Sequence, residues 1–147
     1  MNSLNPVEIL LVEDNPNDAE LTLRALKKQH LANPVHVVED GEEALDFLFC
    51  RGKYSNNSSF ASLKVILLDL KLPKVNGLEV LKEIKNSEKT KKLPVVIITS
   101  SKEDPDIKAA YELGANSYVV KPVDFPNFLE AMSQIGMYWL VVNESPK

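Results

Sequence analysis

The chain has 147 residues, 44% apolar and 26% charged, with 17 basic against 21 acidic side chains and a formal net charge of −4. These values predict one soluble globular domain with a sizeable core, and they exclude a global attraction to nucleic acid or to anionic lipid. No apolar run reaches the roughly 18 residues of a membrane span, Met1–Pro6 does not read as a signal peptide, and the lone cysteine, Cys50, excludes an internal disulfide. The expected location is the cytoplasm, and the length leaves little room for a second, effector domain.

Val7–Val12 is the first apolar run, and Asn15-Pro16 after it predicts an N-cap and first turn for a helix through Leu21, Ala25 and Leu26. Val35–Val38 is the second; Asp40-Gly41-Glu42-Glu43 then has the form of a capping box ahead of Ala44, Leu45 and Leu48. Arg51–Ser62, rich in Ser and Asn, predicts a long surface loop. The third run, Val65–Leu68, precedes Asn76-Gly77-Leu78-Glu79, which repeats the capping device before Leu81 and Ile84. Val95–Ile98 is the fourth, and Asp104-Pro105 opens a helix through Ile107, Ala110 and Tyr111 that Gly114 closes. Ser117–Val120 is the fifth, and Asp124 caps a last helix with Phe128, Met132, Ile135 and Trp139 on one face. Three of the runs are continuously apolar, as strands buried on both faces of a parallel sheet are. The alternation predicts an α/β fold, a doubly wound five-stranded parallel sheet with five helices.

Ligands of such sheets bind beyond the carboxyl ends of the strands. Glu13 and Asp14 follow the first run, Asp69 the third, Thr99, Ser100 and Ser101 the fourth, and Lys121-Pro122 the fifth. Three carboxylates gathered on one rim repel unless a cation compensates them, and Mg²⁺ is held by one or two carboxylates plus waters and phosphate. A carboxylate can act as nucleophile and form an acyl-phosphate, with lysine and hydroxyl groups stabilising the transferred oxygens. The inventory suits phosphoryl transfer to Asp69 with Mg²⁺ as clamp.

ILLVEDNPND at 9–18, VILLDLKLPKVNG at 65–77, PVVIITSS at 94–101 and NSYVVKP at 116–122 resemble the receiver domains of two-component response regulators. The resemblance places a receiver at 5–136 with a flavodoxin-like fold, and an extension of the last helix at 137–147. It implies that Asp69 is the phosphoacceptor and Asp14 a direct Mg²⁺ ligand. Glu13 would support the metal through water, and the Lys71 carbonyl would complete the protein ligands. Lys121 and Ser100 would meet the phosphoryl group, Thr99 would be the switch hydroxyl and Tyr118 the switch aromatic. The Lys121-Pro122 bond is expected to be cis, since X-Pro tolerates that isomer cheaply. Asn76 stands where many relatives carry Asp and still suits a cap.

FLFCRGKYSNNSS at 47–59 and MYWLVV at 137–142 resemble the small response regulators partnered with cyanobacterial-type phytochromes. That subgroup is a receiver alone, with a lengthened loop and a last helix used in dimerisation. Met137, Tyr138, Leu140, Val141 and Val142 add apolar surface beyond the face carrying Trp139, which fits a dimer interface through Met137, Tyr138, Trp139 and Leu140. The implied function is to accept a phosphoryl group from a phytochrome-type sensor histidine kinase and to change the protein's own surface for dimerisation or partner binding. The receiver would catalyse only its own phosphorylation and dephosphorylation. One alternative is a motility-type receiver docking on a motor or other effector. Another is an aspartyl-phosphate-type phosphatase; Lys71 stands where such an enzyme needs a second acid.

Other features read as structural. EDNPND lacks the glycine and ligand spacing of a calcium loop. Lys85, Lys89, Lys91 and Lys92 fit a solvated face without the aromatic interleaving of a nucleic-acid surface. His30 and His36 are too isolated for a metal site.

Overall fold

A computed structural model describes residues 7–27, 34–56 and 62–121, together with 126, 127, 130 and 131. Five strands, β1 (Ile9–Val12), β2 (Val35–Val38), β3 (Val65–Leu68), β4 (Val95–Thr99) and β5 (Ser117–Val120), form one sheet in the order β2-β1-β3-β4-β5. All four pairings are parallel. Helices α1 (Pro16–Lys27), α2 (Gly41–Phe49), α3 (Gly77–Lys85) and α4 (Asp104–Glu112) connect them. Residues 126, 127, 130 and 131 are also helical, and the rest of the expected fifth helix lies outside the described residues. So do Pro122 and the tail positions Met137, Tyr138, Trp139 and Leu140.

The continuous apolar runs are the three central strands, each buried along its whole length, whereas β2 and β5 at the edges are only partly covered. Alternate residues build two cores. Leu10, Val12, Ile66, Leu68, Val95 and Ile97 pack with Ala44, Leu48, Leu81 and Ile84 of α2 and α3. Ile9, Leu11, Val65, Leu67, Val96 and Ile98 pack with Ala19 and Leu26 of α1 and with Ala131. A sheet covered on both faces leaves the strand ends as the open edge, and the chain reverses its direction of travel between β1 and β3.

The helix starts follow the caps in the sequence. Asn15 Oδ1 accepts from the N–H groups of Asn17 (2.8 Å) and Asp18 (3.1 Å). Asp40 Oδ1 accepts from Glu43 N–H (2.7 Å), and Asn76 Oδ1 from Glu79 N–H (3.0 Å). In the second helix the reciprocal bond goes one residue further out than a capping box requires, from Glu39 N–H to Glu43 Oε1 (3.1 Å).

Four readings need correction. Leu21 is 48% exposed and Tyr111 47% exposed; Thr22, not Leu21, completes the buried stripe of α1, and in α4 the buried residue is Ala110. The first strand begins at Ile9 rather than Val7, whereas helix α4 opens at Asp104 as expected. The fourth strand runs one residue further, to Thr99. Within 51–62, Gly52–Tyr54 form a 3-10 turn whose tyrosine reaches back to β2 and α2.

Candidate functional site

The backbone ladder carries each candidate one residue past its strand. Glu13 N–H donates to Val38 O (3.0 Å), Asp69 N–H to Val12 O (3.1 Å) and Lys121 N–H to Thr99 O (2.8 Å). Val12 pairs with Leu68, so Glu13 and Asp69 leave neighbouring strands side by side. The loop after Asp69 is shaped by Lys71 N–H donating to Asp69 Oδ1 (3.2 Å) and Gly77 N–H donating to Leu70 O (2.7 Å). A Cβ at residue 77 would overlap the Asp69 carbonyl oxygen, so only glycine lets α3 begin this close to Asp69. Lys74, in the same loop, adopts a left-handed φ of 68° and pairs with Asp40 (3.6 Å) and Glu42 (3.7 Å).

Carboxylate oxygens of Glu13, Asp14 and Asp69 lie within 4.8 Å of one another. Glu13 and Asp69 are buried, and Asp14 is exposed at the mouth. Lys121 Nζ reaches Glu13 Oε1 (2.6 Å), Asp18 Oδ2 (2.8 Å) and Asp69 Oδ2 (2.8 Å). Burial pushes the Glu13 carboxyl up to about 7, opposed by the Lys121 hydrogen bond and reinforced by the charge of Asp69. Burial works against the Lys121 charge, yet its hydrogen bonds to Asp18, Asp69 and Glu13 outweigh that and hold the ammonium above the ordinary lysine range. Glu13, Asp18 and Asp69 thus share the Lys121 ammonium while Asp14 adds a further carboxylate beside them, and the surplus of negative charge favours an added cation.

Thr99 is fully buried at the end of β4, and its Oγ1 has no hydrogen-bond partner among the described residues. A buried hydroxyl left in that state is costly, which marks it as a group awaiting an acceptor. Tyr118, half-buried on β5, donates its hydroxyl proton to Ser101 O (3.1 Å), and burial raises its phenol above the usual range. Ser100 is exposed beside Thr99. Ser101 turns from the rim: its hydroxyl donates to Asp106 and accepts from Glu103 N–H (3.2 Å), serving the start of α4.

The structure therefore brings together Glu13, Asp14, Asp69 and Lys121, with Thr99 at the neighbouring strand end. It places Lys71 against Asp69 through its main chain, with an exposed side chain. Asp18 was missed. Its signal is positional: it is the third acid of EDNPND, in the first turn of α1, where an acid also favours the helix dipole.

A doubly wound parallel sheet with acids, an amine and a hydroxyl gathered at its switch point defines a flavodoxin-like α/β domain. The chain belongs to the response regulator receiver domain family, whose sequence profile matches residues 9–133. It is thus a two-component signalling protein, of a class that takes phosphate from histidine kinases. It is 38% identical to the response regulator Rcp1 of Synechocystis sp. over 92% of this chain and 90% of that protein. It is 39% identical to a probable methanogenesis regulatory protein, FilR2, of Methanothrix harundinacea over 97% of this chain and 89% of that protein. The solved structure of the bacteriophytochrome response regulator AtBRR superposes with a TM-score of 0.84 at 52% identity, covering 96% of this chain and all of that one. No helix among the described residues is long and apolar enough to cross a membrane.

Proposed function

We propose that this receiver takes its phosphoryl group on Asp69, from a sensor histidine kinase of the phytochrome type. The reading is carried by the burial of Asp69 inside a three-carboxylate cluster that has one shared ammonium. A carboxylate oxygen of Asp69 attacks phosphorus as the bond to the donor imidazole nitrogen breaks; the imidazole leaves and picks up a proton. Lys121 gives its ammonium to the transferred oxygens, and Ser100 stands at the same rim. Glu13, Asp14 and Asp69 fit Mg²⁺, because their carboxylate oxygens converge where negative charge is in surplus, and the Lys71 carbonyl would complete the protein ligands. When bound, Mg²⁺ neutralises charge on the attacking and transferred oxygens.

Thr99 then finds the acceptor it lacks, moving toward the phosphoryl oxygens, and Tyr118 follows into the space released. That displacement alters the surface of α4, β5 and the helical residues after them. We assign 5–136 to the receiver and 137–147 to an apolar extension through which the protein forms a homodimer. Exposed Lys71, standing two residues after Asp69, supports a signalling role over hydrolysis of outside substrates. The likeness to Rcp1 and AtBRR supports the phytochrome-type donor. Phosphotransfer profiling tests it: a phytochrome-type kinase should label this protein far faster than other histidine kinases. Equal or slower labelling overturns that partner assignment.

A further inference from the structure

Lys121 Nζ carries three N–H bonds and meets three carboxylates, and these partners are not equivalent. Glu13 and Asp69 belong to the cluster proposed to hold Mg²⁺, whereas Asp18 does not. Ammonium and divalent cation therefore compete for the same two acids. The Lys121 side chain is 11% exposed, so surrendering Glu13 and Asp69 with nothing in exchange would leave a nearly buried charge unpaired. Asp18 removes that difficulty. Its backbone is fixed by the bond from its N–H to Asn15 Oδ1, and its side chain, 35% exposed, stands at the edge of the crevice 2.8 Å from the ammonium.

We propose that Asp18 is a positioning residue for Lys121: it keeps the ammonium paired at the crevice edge while Glu13 and Asp69 turn to the metal. The proposal rests on the metal reading above and adds to it a residue outside the ligand set. Asp18 acts by holding the lysine, not by touching the metal. Its influence must therefore vanish when the lysine is gone. A carboxylate acting only through its field would keep its influence in either case.

The test is calorimetric titration of the full chain with Mg²⁺, comparing wild type, Asp18→Asn and Asp18→Ala, each with and without Lys121→Met. With Lys121 present, loss of Asp18 should weaken the dissociation constant by roughly fivefold or more, the lower end of usual coupling between sites. In the Lys121→Met background the same change should have less than about a twofold effect, as expected for an exposed charge in water. Equal losses in both backgrounds, or no loss in either, overturn the proposal while leaving the metal reading intact. A wild type that takes no Mg²⁺ overturns both. A second readout needs no change at Lys121: its ¹⁵N ammonium resonance should persist on adding Mg²⁺ to wild type and broaden through water exchange in Asp18→Asn. An unchanged signal in Asp18→Asn counts against the proposal.

Discussion

Two polar clusters lie against the same sheet, one beside the edge strand β2 and one beyond the ends of β1, β3, β4 and β5. Beside β2, Tyr54 donates to Glu43 Oε2 (2.7 Å), so its oxygen accepts from His36 Nε2–H at 2.9 Å. Glu43 also pairs with Lys53 (3.1 Å) and accepts from Glu39 N–H, and the His36 ring stacks on Phe47 with centroids 5.1 Å apart. Burial pushes Glu43 upward, but the bonds from Tyr54, Glu39 and Lys53 win and leave it below the usual carboxylate range. In the crevice the balance runs the other way. Glu13 is raised, three acids share one ammonium with a fourth acid, Asp14, close by, and the Thr99 hydroxyl lacks a partner among the described residues. The first cluster is closed and fastens the 51–56 segment to the domain. The second is held open by a rigid frame, and the groups it leaves short are those that phosphate and metal would satisfy.

The largest break should come from the frame. Gly77→Ala drives a methyl group into the Asp69 carbonyl, and a loss of more than ~3 kcal/mol in denaturant unfolding is expected. Any folded remainder should have lost most phosphoryl uptake.

A matched pair of hydroxyl deletions sharpens the contrast. Tyr54→Phe strips a donor from half-buried Glu43 and should cost ~1–2 kcal/mol, with phosphoryl uptake unchanged. Thr99→Val deletes an orphaned hydroxyl at constant shape, so the unphosphorylated protein should be neutral or gain up to ~1 kcal/mol. The valine protein should still take up phosphate but lose the shift of the Tyr118 signals on phosphorylation. If both variants destabilise alike, the distinction between closed and open clusters is wrong.

The smallest effect is in pH. Metal-free folded protein binds a proton at Glu13 near pH 7, whereas the unfolded chain does so near 4.5. Between these values the folded state holds more protons, so this group makes the protein more stable as pH falls from 8 toward 5. Burial lowers His36, which acts in the opposite sense but equally in wild type and Glu13→Gln. The melting-temperature difference between the two should therefore move in favour of wild type as pH is lowered, and Mg²⁺ should abolish the trend.

What could be read from the sequence was local or strictly periodic. Asn15, Asp40 and Asn76 cap their helices because each bond spans two or three residues. Continuous apolar runs marked β1, β3 and β4, and the residues after them marked the crevice. Leu21 misled because the buried stripe of α1 passes through a threonine, Thr22. Asp18 and Lys121 lie 103 positions apart, and the Tyr54–His36 contact spans 18, so only the folded topology creates these meetings. The site's core was legible because one acid directly follows each of two buried strands. Its third lysine partner was not, since an acid in a first helical turn has an adequate explanation in the helix dipole.

We propose that the crevice is open because Asp69 takes the phosphoryl group. Incubation with acetyl phosphate and Mg²⁺, followed by intact-mass measurement and site mapping, tests it most directly. One phosphoryl group on wild type at Asp69, absent without Mg²⁺ and absent in Asp69→Asn, is the predicted result. No uptake by wild type, or undiminished uptake by Asp69→Asn, would contradict it.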